Sequence, residues 1–182
     1  FLEGGIDFKT NEHIIITEDL SMQNILFDFF YNTKYTLAFA ESLTGGLLSS
    51  LLTEIPGSSQ IFKGSIVCYS DESKTNILNI DKDLLHSTGA VSQEVAKAMA
   101  SNCKIFFDSD ICVGLTGIAG PTGATEEKPL GLCYISSCSN DFEKVYRFNF
   151  SGDRITNQNL AAIFGFFLAI YTLTKNHKNC SF

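Results

Sequence analysis

The chain has 182 residues and a mass of 20.0 kDa, a length that corresponds to one domain of ordinary size. Hydrophobic residues make up 45% of the chain and charged residues 18%, which excludes a disordered acidic chain and predicts a globular, soluble domain. Thirteen Lys and Arg against twenty Asp and Glu give a net charge of −7. This charge disfavours nonspecific binding to nucleic acid, which depends on neutralising phosphates, but it is compatible with a small anion held by local cations and backbone N–H groups.

The cysteines and histidines do not indicate a metal site. The six cysteines lie mostly in apolar runs without zinc-binding spacing, and the three histidines are scattered. We therefore expect free thiols in a reducing cytosol, a cytoplasmic location, no metal and no other cofactor. Residues 1–5 lack the basic start and apolar core of a signal peptide, so we expect none in this sequence. The apolar segment 160–174 falls short of the roughly 20 residues that span a bilayer, so it predicts a buried C-terminal helix rather than a membrane contact.

The remaining patterns predict a lead-in or linker at residues 1–17 and one domain at 18–182. Asp19 or Ser21 can cap a first helix that runs to about Tyr31. Further along the chain we expect a strand at 35–40, a helix at 47–52, a strand at 65–69, a short helix capped by Ser70, a turn at Asp81, a helix from Ser92 to about Phe107, a strand at 111–115, strands at 131–138 and 143–150 that form a hairpin, and the C-terminal helix. Alternating strands and helices with a late hairpin predict an α/β sandwich with a mixed sheet.

Three loops follow the carboxyl ends of predicted strands, at residues 41–46, 69–74 and 116–129, where ligands bind in such sheets. The first carries the hydroxyls of Ser42 and Thr44 with Gly45 and Gly46 at a helix N-terminus. This arrangement suits an anion, or equally an ordinary helix cap. It is neither a P-loop nor a dinucleotide fingerprint.

The loop after Thr116 is rich in glycine, and Gly117 and Gly120 allow backbone N–H groups to approach a ligand closely. A flexible surface loop is the alternative interpretation.

Lys74 follows Tyr69 by five residues, so both side chains can face one cavity. A buried lysine can act as a base toward a serine hydroxyl, and a tyrosine can relay the proton; the alternative is a solvated lysine. Arg154 can bind a phosphate through two N–H groups, or form a salt bridge with Asp153.

Seven short motifs in register resemble the CinA C-terminal domain (competence- and damage-inducible protein) family over about residues 34–175. They are residues 40–46, 56–59, 69–70, Lys74, 89–92, 116–121 and 127–131. The resemblance implies a three-layer α/β/α sandwich with a mixed, mainly parallel sheet, usually assembled as a homo-oligomer. It also implies nicotinamide-nucleotide amidase activity, the hydrolysis of nicotinamide mononucleotide to nicotinate mononucleotide and ammonia in pyridine nucleotide recycling. The segment from Glu12 to Asp19 resembles the linker that precedes this domain in two-domain members, so we expect the chain to be part of a longer protein.

The resemblance also suggests roles for the residues named above. A serine would attack the carboxamide, with Lys74 as base and Tyr69 assisting, and both Ser42 and Ser59 are candidate nucleophiles. Thr116 and the N–H groups of the 117–120 loop, with Gly117 and Gly120, would stabilise the oxyanion or contact the ligand. The ribose phosphate would be bound by Arg154, Thr44, Gly45 and Gly46.

Leu43 replaces a frequent cysteine of the family, but this removes no proposed catalytic group. One alternative function is a catalytically inactive nucleotide-binding or regulatory module. A phosphotransfer enzyme is a weaker one, since a P-loop is missing from the sequence.

Overall fold

A five-stranded sheet organises residues 21–176, which the computed structural model describes. The strands are β1 (Leu37–Glu41), β2 (Phe62–Val67), β3 (Ile111–Gly117), β4 (Leu132–Cys138) and β5 (Glu143–Asn149), in the spatial order β2-β1-β3-β4-β5. β1 pairs in parallel with β2 and β3, whereas β4 is antiparallel to both β3 and β5. All strands except β4 therefore share one direction, which confirms the predicted mixed, mainly parallel sheet. The predicted lead-in at 1–17, the alternative cap Asp19 and Cys180 lie outside the described residues.

Helices cover both faces of the sheet, which confirms the predicted three-layer sandwich. One layer contains α1 (Met22–Thr33), α2 (Leu47–Thr53) and α6 (Arg154–Asn176), and the other contains α3 (Asp71–Leu78), α4 (Lys82–Thr88) and α5 (Gln93–Phe107). None of these described helices has the length and apolar character needed to cross a bilayer. The described cysteines, at 68, 103, 112, 133 and 138, are buried free thiols.

The alternation of side chains along β1 explains how the two layers differ. Leu37 and Phe39 pack into the layer of α1, α2 and α6, whereas Ala38 and Ala40 face α5. The small residues suit a close approach of α5, because a Cβ at Gly114 in β3 would overlap the backbone of α5. This face of the sheet therefore depends on small side chains.

Several element boundaries differ from the sequence-based predictions. β1 is Leu37–Glu41 rather than 35–40, and β3 continues to Gly117, so Thr116 and Gly117 lie in the strand rather than in the loop after it. β2 begins at Phe62 rather than residue 65 and ends at Val67, so Tyr69 lies in the following loop. The turn predicted at Asp81 is a helix N-terminus, since the Asp81 carboxylate accepts a hydrogen bond from the Asp83 N–H. The C-terminal helix begins at Arg154, before the apolar run. For β2 and α6, the apolar pattern begins at a different residue from the backbone hydrogen bonding, and only the apolar pattern is visible in the sequence.

Candidate functional site

The parallel strands β1, β2 and β3 bring their carboxyl ends to one edge of the sheet. The loops that leave them, with α3 and the start of α6, surround a cavity of about 280 Å³, close to the lower end of the roughly 300 to 1,000 Å³ of small-molecule sites. The predicted site residues that line it are Ser42, Tyr69, Lys74, Thr116, Gly117, Gly120 and Arg154. Strand order thus joins groups that are far apart in the chain.

Lys74 lies in α3, directly after the turn that Ser70 caps. Its side chain is only 1% exposed, so it is not the solvated lysine of the alternative interpretation. The amine Nζ lies 3.3 Å from the Ser42 hydroxyl and donates to the Cys68 carbonyl at 3.0 Å. Burial lowers the pKa of Lys74, and the nearby Cys68 and Asp71 partly oppose this shift. A neutral amine beside a hydroxyl is the arrangement required for a general base.

Arg154, the first residue of α6, bridges the other two loops. Its guanidinium donates to the Gly120 carbonyl at 2.8 Å and to the Tyr69 hydroxyl at 2.9 Å. The Asp153 carboxylate accepts instead from the Thr156 N–H, and hydrogen bonding to the side chain and the N–H of Thr156 lowers the pKa of Asp153. The salt bridge considered between Arg154 and Asp153 is therefore absent from the described part of the chain.

The cationic groups of the cavity have no carboxylate partner among residues 21–176, where the ion pair found is Lys97–Glu143. Lys74 and Arg154 contact neutral acceptors, and Asp71 is the acidic residue in the lining. An anionic ligand would complement the charge that Arg154 carries at the cavity rim. No cluster of His, Cys, Asp and Glu in the described residues is suited to a metal ion.

A buried carboxylate occupies the helix N-terminus at which we considered an anion. Glu41 is fully buried and accepts hydrogen bonds from the Gly46, Leu48 and Ser49 N–H groups, at 3.0, 3.1 and 3.0 Å. The hydroxyls of Thr44 and Ser49 also donate to it.

The N-terminus of this helix is capped, but not by the residues of the alternative interpretation. The cap is Glu41 rather than Ser42 or Thr44. Thr44, Gly45 and Gly46, which we expected at the phosphate, do not line the cavity. An acidic residue at the end of a strand, just before a glycine turn, was the available sequence signal.

Ser59, the other candidate nucleophile, lies at the opposite edge of the sheet. It is exposed, in a short 3₁₀ helix (Ser58–Gln60) that precedes the amino end of β2. The adjacent Ile61 carbonyl accepts from the N–H of Leu37, where β1 begins. Within one chain, Ser59 and Lys74 are separated by the length of β2.

Two amide side chains near the start of α6 hold the cavity loops in place. Asn157 donates to the Ala119 carbonyl at 3.0 Å, and Gln158 donates to the Leu43 carbonyl at 2.7 Å. Consecutive amides ahead of the apolar run of α6 were the available sequence signal, and they do not reveal which loop each side chain reaches.

The fold and the site define a class: three-layer α/β sandwich proteins with a buried lysine beside a serine at the carboxyl edge of the sheet. The family model of the CinA C-terminal domain matches residues 19–173. The chain belongs to this family, which confirms the resemblance derived from the motifs.

Individual relatives agree with this assignment. The CinA-like protein of Fervidobacterium nodosum is 41% identical over 146 residues, which cover 80% of this chain and 36% of that protein. The CinA-like protein of Thermotoga neapolitana is 40% identical over 170 residues, covering 93% and 40%. The chain thus spans about two fifths of the length of these relatives. The crystal structure of the competence/damage inducible protein CihA from Agrobacterium tumefaciens superposes with a TM-score of 0.81 at 27% identity, covering 83% of this chain and 93% of that one.

Proposed function

We propose that the chain is a nicotinamide-nucleotide amidase that hydrolyses nicotinamide mononucleotide to nicotinate mononucleotide and ammonia. The observation that carries the proposal is the 3.3 Å contact between the Lys74 amine and the Ser42 hydroxyl inside the cavity. Burial favours the neutral amine, so Lys74 can accept a proton from the hydroxyl. The family resemblance supports the choice of substrate.

In the first half of the reaction, Ser42 Oγ attacks the carboxamide carbon and its proton passes to Lys74 Nζ. The carbonyl oxygen becomes an oxyanion that N–H groups of the 117–120 loop stabilise. When the intermediate collapses, the C–N bond breaks and the proton on Lys74 leaves with the amine as ammonia. The product of this half is an ester between the nicotinoyl carbon and Ser42.

In the second half, water attacks the ester carbon and Lys74 takes a proton from it. The C–O bond to Ser42 breaks, the serine regains its proton, and nicotinate mononucleotide leaves. Ser42 and Lys74 return to their starting states, so the cycle consumes only water.

The substrate phosphate is assigned to Arg154 alone, since Glu41 already occupies the N–H groups at the start of α2. Two guanidinium N–H groups can bind a phosphate together. The Tyr69 hydroxyl contacts Arg154, which supports a role for Tyr69 in orienting that cation rather than in relaying the proton of Ser42.

A pair of matched serine variants tests the proposal by ammonia release from nicotinamide mononucleotide. Ser42→Ala should lower kcat by at least about 1,000-fold, because the nucleophile is lost. Ser59→Ala is the control and should retain the wild-type rate, since Ser59 lies at the other sheet edge. If Ser59→Ala lost ammonia release instead, a second copy of the chain would have to bring Ser59 to this cavity. Nucleotide binding without ammonia release by the wild type would contradict the proposal and support the inactive nucleotide-binding module.

A further inference from the structure

We propose that Asn157 is a positioning residue that turns the Gly120 N–H into the cavity, where this N–H donates to the oxyanion of the reaction. The inference rests on the proposed amidase function and assigns a specific donor within the 117–120 loop. It follows from the contacts of one buried side chain and the geometry of one peptide bond.

The Asn157 side chain is held in one orientation. It is only 1% exposed, and its Nδ2 donates to the Ala119 carbonyl at 3.0 Å and to the Gly152 carbonyl at 2.9 Å. Its Oδ1 accepts from the Gly152 N–H at 3.0 Å. Since both ends of the amide are bound to groups of fixed polarity, rotating it by 180° would break these bonds.

The bond to Ala119 determines the direction of the next N–H. Among the described residues the cis peptide is Gly120–Pro121, so the Ala119–Gly120 peptide is trans, and its carbonyl and N–H point in opposite directions. Ala119 and Gly120 line the cavity, whereas Asn157 does not. A carbonyl that points back to Asn157 therefore directs the Gly120 N–H to the cavity side.

This N–H is available to a ligand. No group in residues 21–176 accepts a hydrogen bond from it. The carbonyl group of Gly120 is also held in place, because the Arg154 guanidinium donates to it at 2.8 Å. Gly120 has a φ of +95°, a conformation that favours glycine, so the donor lies in a turn that is tied down on both sides.

Fixed orientation matters because an oxyanion donor acts in the transition state, not in the ground state. Removing one such donor costs about 100- to 1,000-fold in kcat, and a misplacement of about 1 Å can cost about 100-fold. Loss of the Asn157 contact should therefore lower kcat by about 10- to 100-fold without weakening substrate binding.

The test compares Asn157→Ala and Asn157→Asp with Asn159→Ala, a control that removes an exposed amide from the same helix. We would measure kcat and KM for ammonia release. We would also measure the dissociation constant of the aldehyde analogue of nicotinamide mononucleotide. Ser42 Oγ adds to the aldehyde carbon, the carbonyl oxygen becomes the oxyanion, and the serine proton moves to Lys74. This dissociation constant would be measured well below the thermal midpoint of each variant, because an unfolded fraction would weaken the apparent affinity. Asn157→Asp retains an acceptor for the Gly152 N–H, so this variant can provide the test if Asn157→Ala unfolds.

We expect both Asn157 variants to bind the aldehyde about 10- to 100-fold more weakly and to lose kcat by the same factor, with KM within about threefold of wild type. Asn159→Ala should match the wild type. Suppose that the wild type releases ammonia and that the Asn157 variants bind the aldehyde as tightly as the wild type, or differ from it only by a raised KM. Either result would overturn the role of Asn157 and leave the amidase proposal intact. A wild-type protein that releases no ammonia would overturn both.

Discussion

At the scale of single residues, the proposed chemistry depends on the buried Lys74. Lys74 combines near-complete burial with neutral partners, so its protein environment favours the amine over the ammonium. The same burial that prepares a base makes the protonated form costly to the folded state. Activity and stability should therefore respond in opposite ways when this side chain is replaced.

Lys74→Met should lower kcat by at least about 100-fold, since it removes the general base, while the thermal unfolding midpoint falls little or rises. The pKa of Lys74 is lower in the folded protein than the ordinary value of 10.5, so between those two values the unfolded chain binds more protons. The free energy of unfolding of the wild type should therefore rise relative to Lys74→Met as the pH rises toward 10.5.

Thermal denaturation of both proteins across this alkaline range measures the effect. Lys82→Met, a change of an exposed lysine in α4, is the control and should show no such pH-dependent difference. A constant difference between the wild type and Lys74→Met would contradict the assigned pKa shift. For the rate, kcat/KM of the wild type should increase with pH through the pKa of Lys74, because the neutral amine is the active form.

At the scale of elements, α2 depends on Glu41, which lies outside the helix. A helix N-terminus leaves N–H groups without partners, and here the carboxylate at the end of β1 binds three of them. The same contacts hold the turn that begins with Ser42. Strand β1, α2 and the turn that begins with Ser42 therefore form one hydrogen-bonded unit.

Glu41→Gln should lower the free energy of unfolding by about 1 to 3 kcal/mol, because the amide cannot accept from all of these donors. Urea denaturation measures the change. Glu54→Gln is the matched control: Glu54 is the exposed C-cap of the same helix, where a negative charge has no favourable interaction with the helix dipole. If the two variants unfold at the same urea concentration, Glu41 does not stabilise this unit.

At the scale of the whole molecule, the acidic net charge and the cavity are separate properties. The chain carries −7 overall, yet Arg154 faces the cavity without a carboxylate partner in the described residues. Interactions beyond roughly 10 Å are screened at ordinary ionic strength. The anionic nucleotide of the proposed reaction would therefore be bound by local groups rather than by the average charge.

Nicotinamide mononucleotide should raise the thermal midpoint of Ser42→Ala, a protein that binds without turnover. At 100 times the dissociation constant a ligand contributes about 2.7 kcal/mol, which corresponds to about 5 to 11 °C in a domain of this size. The corresponding riboside lacks the phosphate and should give a much smaller shift at the same concentration. In the double variant Ser42→Ala/Arg154→Ala, the mononucleotide and the riboside should give the same thermal shift. An equal shift from both ligands in Ser42→Ala would contradict the phosphate assignment.

The types of most elements and the motifs of the site could be predicted from local sequence, because capping and apolar periodicity depend on neighbouring residues. The Ser70 and Ser92 caps and the hairpin of β4 and β5 are of this kind. Local sequence could not choose between Ser42 and Ser59.

That choice depends on tertiary structure. Lys74 meets a serine 32 residues away, and Gln158 reaches the Leu43 carbonyl across 115 residues. Such contacts depend on strand order and direction, which bring three carboxyl strand ends together and leave Ser59 at the far edge of the sheet. For the same reason, only the folded chain shows that Glu41 occupies the helix N-terminus and that Asn157 supports the loop beside the cavity.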